Sequence, residues 1–172
     1  NAPCAAHKHP VPHGTPGQRV CGRTNPIPPG YRPEPDTPHL SLLGLPPKDS
    51  YPGGGPLEAE GPGIHMTAGM IGFRCNFATV DENGVVTDRR AGRISGTEPL
   101  AEAIRDGVDL SSLGLEFRFN SGAGHRAALA LVGEGLGDKV SSNDPKMEGV
   151  RPPEIRACTD DPADAKTARA CN

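Results

Sequence analysis

Proline and glycine constrain this chain more than any other residues do. Of its 20 Pro and 23 Gly, 15 and 10 respectively lie at or before Gly63, in runs such as NPIPPGYRPEP and YPGGGP. Pro lacks a backbone N–H and Gly loses the most conformational freedom on folding, so this half reads as extended or looped rather than as helix or central strand. A segment of that kind buries too little to hold itself in one conformation. The expected division is therefore a Pro/Gly-rich arm over residues 1–63, held by other protein subunits of a large assembly, and a domain over 64–172. The alternative is an arm that wraps its own domain.

The second half carries alternating patterns. Phe73, Cys75, Phe77 and Thr79 alternate with Arg74, Asn76, Ala78 and Val80, the period of a strand with one apolar face. Asp81-Glu82-Asn83-Gly84 then turns the chain, because Asn-Gly tolerates positive φ, and Val85-Val86 starts the return strand. Thr97 is placed to cap a helix with Pro99 in its first turn, and Leu100, Ala103, Ile104 and Val108 share one face as far as about Asp106. Leu113, Leu115, Phe117 and Phe119, followed after Ser121-Gly122-Ala123-Gly124 by Ala127, Leu129 and Leu131, predict a second hairpin. Asp161 before Pro162 opens an Ala-rich helix running to Cys171, with Lys166 and Arg169 near its negative end. The fold class expected is α+β: a small antiparallel sheet with helices on one face.

Composition excludes some partners. A net charge of −3 and a pI near 6.1 give no general attraction for nucleic acid. No run reaches the roughly 18 apolar residues that span a bilayer. The five Cys fall as Cys4 and Cys21 near one end, Cys158 and Cys171 near the other, and Cys75 in the first strand. That placement favours two terminal disulfides and an oxidising compartment. The absence of a Met at position 1 is consistent with removal of a targeting segment, or with a start that lies outside this sequence. An organellar location follows as the expectation, with secretion as the alternative.

Three stretches carry a family resemblance: FRCNFATVDENGVVTDRRAGRISGTE from Phe73, NSGAGHRAALALVGEGLGDKVSSNDPKMEGV from Asn120, and DTPHLSLLGLPPKDSYPGGGPLEAEGPGI from Asp36. They resemble the archaeal-type, cofactor-independent phosphoglycerate mutases of the alkaline phosphatase-like superfamily, over most of residues 31–156. The resemblance implies a substrate-holding domain inserted into a two-metal phosphoryl-transfer core. It implies, too, that basic residues of the insert grip the substrate's phosphate and carboxylate. The matching positions are Arg74, Arg89, Arg90, Arg93, His125 and Arg126, and guanidinium forks suit both anions. A solvated basic face paired with Asp81, Asp88 or Glu98 is the plainer reading of the same residues.

Two departures shape the functional expectation. Where the family has Ser before Asp-Thr-x-His-Leu, this chain has Pro35 before Asp36-Thr37-Pro38-His39-Leu40, and Pro cannot attack phosphorus. Thr37 stands two residues on, roughly 6–7 Å away in an extended segment, too far for an in-line displacement. Residues 1–30 contain no Asp for the family's first metal ligand. The sequence thus predicts no catalytic residue, no metal and no cofactor. It predicts a pseudoenzyme: a structural subunit on the lumenal side of a photosynthetic or respiratory membrane complex, such as one facing the thylakoid lumen of a chloroplast. A mutase interconverting 2- and 3-phosphoglycerate is the alternative, and a binding module for phosphorylated metabolites the third reading. Cys4, His7, His9, His13 and Cys21 match no familiar zinc spacing. Gly133-Glu134-Gly135-Leu136-Gly137 lacks the Lys of a phosphate-binding loop and reads as a turn.

Overall fold

The computed structural model describes residue 27, residues 36–46 and residues 51–172. Contacts separate Asn1–Ser50 from Tyr51–Asn172. In the first unit, α1 spans Asp36–Leu42 and buries Thr37. In the second, α2 (Gly54–Glu60) precedes β1 (Met70–Asn76), a ribbon of β2 (Thr79–Val80) and β3 (Val86–Asp88), α3 (Glu98–Gly107), β4 (Glu116–Ser121), β5 (Arg126–Val132) and α4 (Pro162–Ala170). The class is α+β with a small antiparallel sheet.

Two of these helices lie where the sequence favours loop. Pro38 and Pro56 each occupy the third position of their helix. The first turn has no intrahelical partner for its N–H groups, so a proline there forfeits no hydrogen bond. Gly55 then allows α2 to press onto the sheet. A Cβ at Gly55 would come within 1.9 Å of the Gly72 carbonyl oxygen of β1.

The strand expected from Phe73 to Val80 is broken after Asn76. The N–H of Phe77 donates to the His125 carbonyl at 2.7 Å, and the chain leaves the sheet there. Thr79–Val80 pairs with Val86–Asp88 in a separate two-stranded ribbon, while β1 pairs with β5. The turn between β2 and β3 is clamped by Asp81, whose carboxylate accepts from the N–H groups of Asn83 and Val85, each at 2.9 Å. Gly84 takes a φ of 73° there, a conformation that costs little only without a Cβ.

The main sheet has the order β1-β5-β4, all antiparallel, with Phe73 opposite Leu129 and Phe119 opposite Leu129 on the other side. Central β5 is buried on both faces, which explains its run of small residues. Ala128 and Ala130 pack with Ala59 of α2 and with Ile64. Ala127 and Phe119 pack with Ala101 of α3, against partly buried Cys75, Phe77, Ile104 and Leu129. Phe77 meets Phe119 edge to face at 6.2 Å between ring centroids. The helices expected from sequence, α3 and α4, form at the anticipated places. A further helix, α2, covers the Ala128/Ala130 face.

The buried face of α3 is turned from the one the sequence suggests. Ala101 is buried and Ile104 half-buried, while Leu100 and Val108 stay exposed. In this orientation Arg105 reaches the Phe119 carbonyl at 2.8 Å and Glu98 at 2.6 Å. Thr97 precedes this helix without capping it; its hydroxyl donates to the Gly124 carbonyl instead. At α4, Asp161 does cap, accepting from the Ala163 N–H at 2.8 Å. Buried Asp164 and Thr167 receive the N–H groups of Lys139 and Gly137, each at 3.0 Å. Weak amphipathicity is therefore no obstacle to docking α4, because its buried face is polar and satisfied.

Gly55→Ala should destabilise the protein by about 2–3 kcal/mol, because α2 must lift from β1 to accommodate the methyl group. Urea denaturation checks this. A midpoint within error of the wild type would show that the two backbones are not in close contact.

Candidate anion-binding site

The ribbon β2–β3 delivers Asp88, Arg89 and Arg90 to a tight loop. The Asp88 carboxylate accepts from the N–H groups of Arg90 and Gly92, both at 2.7 Å. Ala91, Gly92 and Arg93 follow with φ of 45°, 65° and 57°, three successive left-handed residues of which only one is Gly. Non-glycine residues in this region cost roughly 1–2 kcal/mol each. The two bonds to Asp88 help to offset that cost. They, and then the charges of Arg90 and His125, hold the Asp88 carboxyl below the ordinary carboxylate range.

This turn sets three guanidinium groups around one open hollow of about 490 Å³, lined by Asp88, Arg89, Arg90, Gly92, Arg93 and Glu148. Arg90 and Arg93 are exposed, and Arg89 is half-buried. Arg89 also lines a neighbouring hollow of about 410 Å³ with Arg74, Asn76, Asp144 and Lys146. Five oriented N–H groups on a planar fork make each Arg a partner for phosphate or carboxylate.

Arg89 is the anchored member of the three. Its Nε lies 3.2 Å from Asp144 Oδ1, and its Nη2 lies 2.9 Å and 2.8 Å from Oδ1 and Oδ2. Lys146 adds its Nζ to Oδ2 and its backbone N–H to Oδ1, both at 2.9 Å. Burial alone would raise the Asp144 carboxyl, but the bonds from Arg89 and then from Lys146 outweigh it and bring it to about 2. The Arg89 backbone N–H meets Glu148 Oε1 at 3.3 Å, so the loop 142–148 grips Arg89 at both ends.

The other sequence candidates divide. His125 is half-buried beside the turn, close enough for its charge to act on Asp88. Arg74 reaches Glu58 of α2 at 2.9 Å and does not line the hollow of the strained turn, although it lines the neighbouring one. Arg126 is exposed at the start of β5, opposite Asn76, and lines neither hollow. Ion pairs form, but not with the carboxylates expected. Asp81 serves its own turn, Glu98 pairs with Arg105, and the partners that matter are Asp144 and Glu58. Sequence reasoning missed Asp144, Lys146 and Glu148; the signal was the polar SSNDPKME run more than 50 residues away, with nothing local to link it to Arg89.

Cys158 and Cys171 are free thiols, the first exposed and the second half-buried, as is Cys75. Burial pushes the Cys75 and Cys171 thiols up to about 11, with Cys171 adding to the effect on Cys75. Cys4 and Cys21, the zinc-like window from Cys4 to Cys21, and Pro35 all lie outside the described residues. Among the described residues no three His, Cys, Asp or Glu converge as metal ligands. Among the same residues, no helix is long and apolar enough to cross a membrane.

This α+β domain, with three Arg side chains clustered on a strained turn, has clear relatives among known proteins. The sequence profile described as 2,3-bisphosphoglycerate-independent phosphoglycerate mutase matches residues 18–172. A protein of that name from Methanoculleus marisnigri is 74% identical over 99% of this chain and 41% of its own length. One from Methanosphaerula palustris is 57% identical over the same shares. A solved structure, the cofactor-independent phosphoglycerate mutase from Thermoplasma acidophilum, superposes with a TM-score of 0.64 at 44% identity, covering 84% of this chain and 36% of that one. The chain belongs to the 2,3-bisphosphoglycerate-independent phosphoglycerate mutase family. It spans about two fifths of the length of these relatives.

These findings correct the functional expectation. Relatives this similar over nearly the whole chain are named as enzymes, so the readings as a pseudoenzyme and as a non-catalytic subunit of a photosynthetic or respiratory complex are overturned. They come from archaea, which have neither chloroplasts nor other organelles, so the organellar and thylakoid-lumen location falls as well.

Asp144→Asn should cost about 1 kcal/mol near neutral pH, after allowance for solvent screening of a partly exposed pair. Because the folded carboxyl sits at about 2 against 3.8, the contribution is complete above pH 3.8 and is lost as pH falls through 2. Urea midpoints of wild type and variant should accordingly converge between pH 5 and pH 2. A gap that stays constant over that range would show that ionisation of Asp144 does not matter.

Proposed function

We propose that this chain forms the substrate-gripping part of a phosphoglycerate mutase that interconverts 2- and 3-phosphoglycerate without 2,3-bisphosphoglycerate. The observation that carries the reading is the left-handed turn at Ala91–Arg93, which puts Arg89, Arg90 and Arg93 around one hollow in a member of this family. Phosphoglycerate presents a phosphate and a carboxylate on a three-carbon frame, so several preset guanidinium forks can bind both ends and fix the orientation of the carbons between them. Arg90 and Arg93, exposed on the rim, are assigned the direct contacts, with His125 beside them.

The geometry explains why a strained turn is useful for this purpose. A flexible loop loses entropy when it closes on a ligand, whereas a turn already held by Asp88 does not. Phosphoryl transfer needs, in addition, an oxygen nucleophile, which Pro35 does not supply. The present assignment gives these residues the binding of substrate and gives the transfer step to none of them.

In the full-length protein, Arg90→Ala and Arg93→Ala should each lower kcat/KM for 3-phosphoglycerate by at least about tenfold, and the double variant by more, with thermal stability nearly unchanged. Steady-state assays coupled to 2-phosphoglycerate formation read this out. Wild-type rates in both variants would remove the proposed grip.

A further inference from the structure

We infer that Asp144 is a positioning residue that presents one edge of Arg89 to the bound anion; this rests on the substrate-gripping reading above. Asp144 occupies Nε and Nη2 of Arg89, at 3.2, 2.9 and 2.8 Å. Nη1 has no hydrogen-bond partner among the described residues, and Arg89 lines both hollows. A guanidinium held by two of its nitrogens has lost most of its rotamer freedom before ligand arrives, and its remaining N–H groups point in a fixed direction.

The loop that supplies Asp144 is built to hold it still. Ser142 Oγ accepts the Asp144 N–H at 3.1 Å, and Lys146 closes on both carboxylate oxygens while adopting a φ of 62°. Glu148 meets the Arg89 backbone, and the Gly149 N–H donates to the Val86 carbonyl at 2.8 Å. The loop is thus bonded to Val86 of β3 and to the backbone of Arg89 just beyond that strand. Asp144 takes the Nε and Nη2 edge of Arg89 and shares its oxygens with Lys146, which leaves the Nη1 side of the guanidinium for an incoming anion. Its role is to set the angle of Arg89.

Double-mutant calorimetry on the full-length protein tests this. Asp144→Asn should weaken binding of 3-phosphoglycerate about tenfold, the scale expected when a binding group is displaced by an ångström or less. Arg89→Ala should weaken it at least as much. The combined variant should bind no worse than Arg89→Ala alone, because Asp144 acts only through Arg89. Asp144→Glu, which keeps the charge, should recover part of the loss and stands in for Asp144→Asn should that variant not fold. Additive losses in the combined variant, or wild-type affinity in Asp144→Asn, would overturn the inference. Wild-type affinity in Arg90→Ala and Arg93→Ala would instead overturn the substrate reading beneath it.

Discussion

The structure depends on a central strand narrow enough to be covered from both sides. Ala127, Ala128, Ala130 and Leu131 of β5 are almost wholly buried, and the three alanines let α2 and α3 approach opposite faces of a sheet only three strands wide. A domain this small has little apolar area to bury, so close approach of backbones replaces large side chains. Gly55 over Gly72 and Gly137 against Asp164 follow the same logic. With no Trp and four Phe in the chain, the core gains its density from small residues at contact points.

That scaffold keeps one end for charge. The bond from Phe77 to the His125 carbonyl ends β1 and starts the excursion through β2 and β3, so the turn bearing Arg90 and Arg93 emerges beside the β4–β5 loop. Asp88 shapes the turn from within and Asp144 holds Arg89 from outside. Both carboxylates are spent on geometry, and Arg90 and Arg93 stay exposed on the turn. The second hollow is more fully committed internally, since Arg74 is paired with Glu58 and Lys146 with Asp144.

Local patterns in the sequence carried the parts of this arrangement that are local. The Asn83-Gly84 turn, the 116–132 hairpin and the Asp161-Pro162 start of α4 all rest on neighbours in the chain, and each formed where the pattern put it. The pairing of β1 with β5 and the orientation of α3 come with contacts across longer separations, Phe77 with His125 and Arg105 with Phe119. The same distinction holds at the site. Arg89, Arg90 and Arg93 were legible because they lie together, whereas Asp144 is 55 residues from the guanidinium it holds. Pro-rich composition misled about α1 and α2 because it says how many prolines there are, while helix formation depends on where in the turn they fall. Pro35 and the lack of Asp in residues 1–30 point away from an enzyme, whereas relatives named as enzymes share nearly the whole chain.

Phosphoglycerate held by the turn at Arg89–Arg93, as proposed above, would change the surroundings of those guanidinium groups. The most direct measurement is nitrogen NMR of the arginine Nε groups in the full-length protein during titration with 3-phosphoglycerate. The account predicts saturable shifts at Arg90 and Arg93, a smaller one at Arg89 because Asp144 already occupies its Nε, and none at Arg118 or Arg151. Signals at Arg90 and Arg93 that stay unmoved at saturating ligand would contradict it.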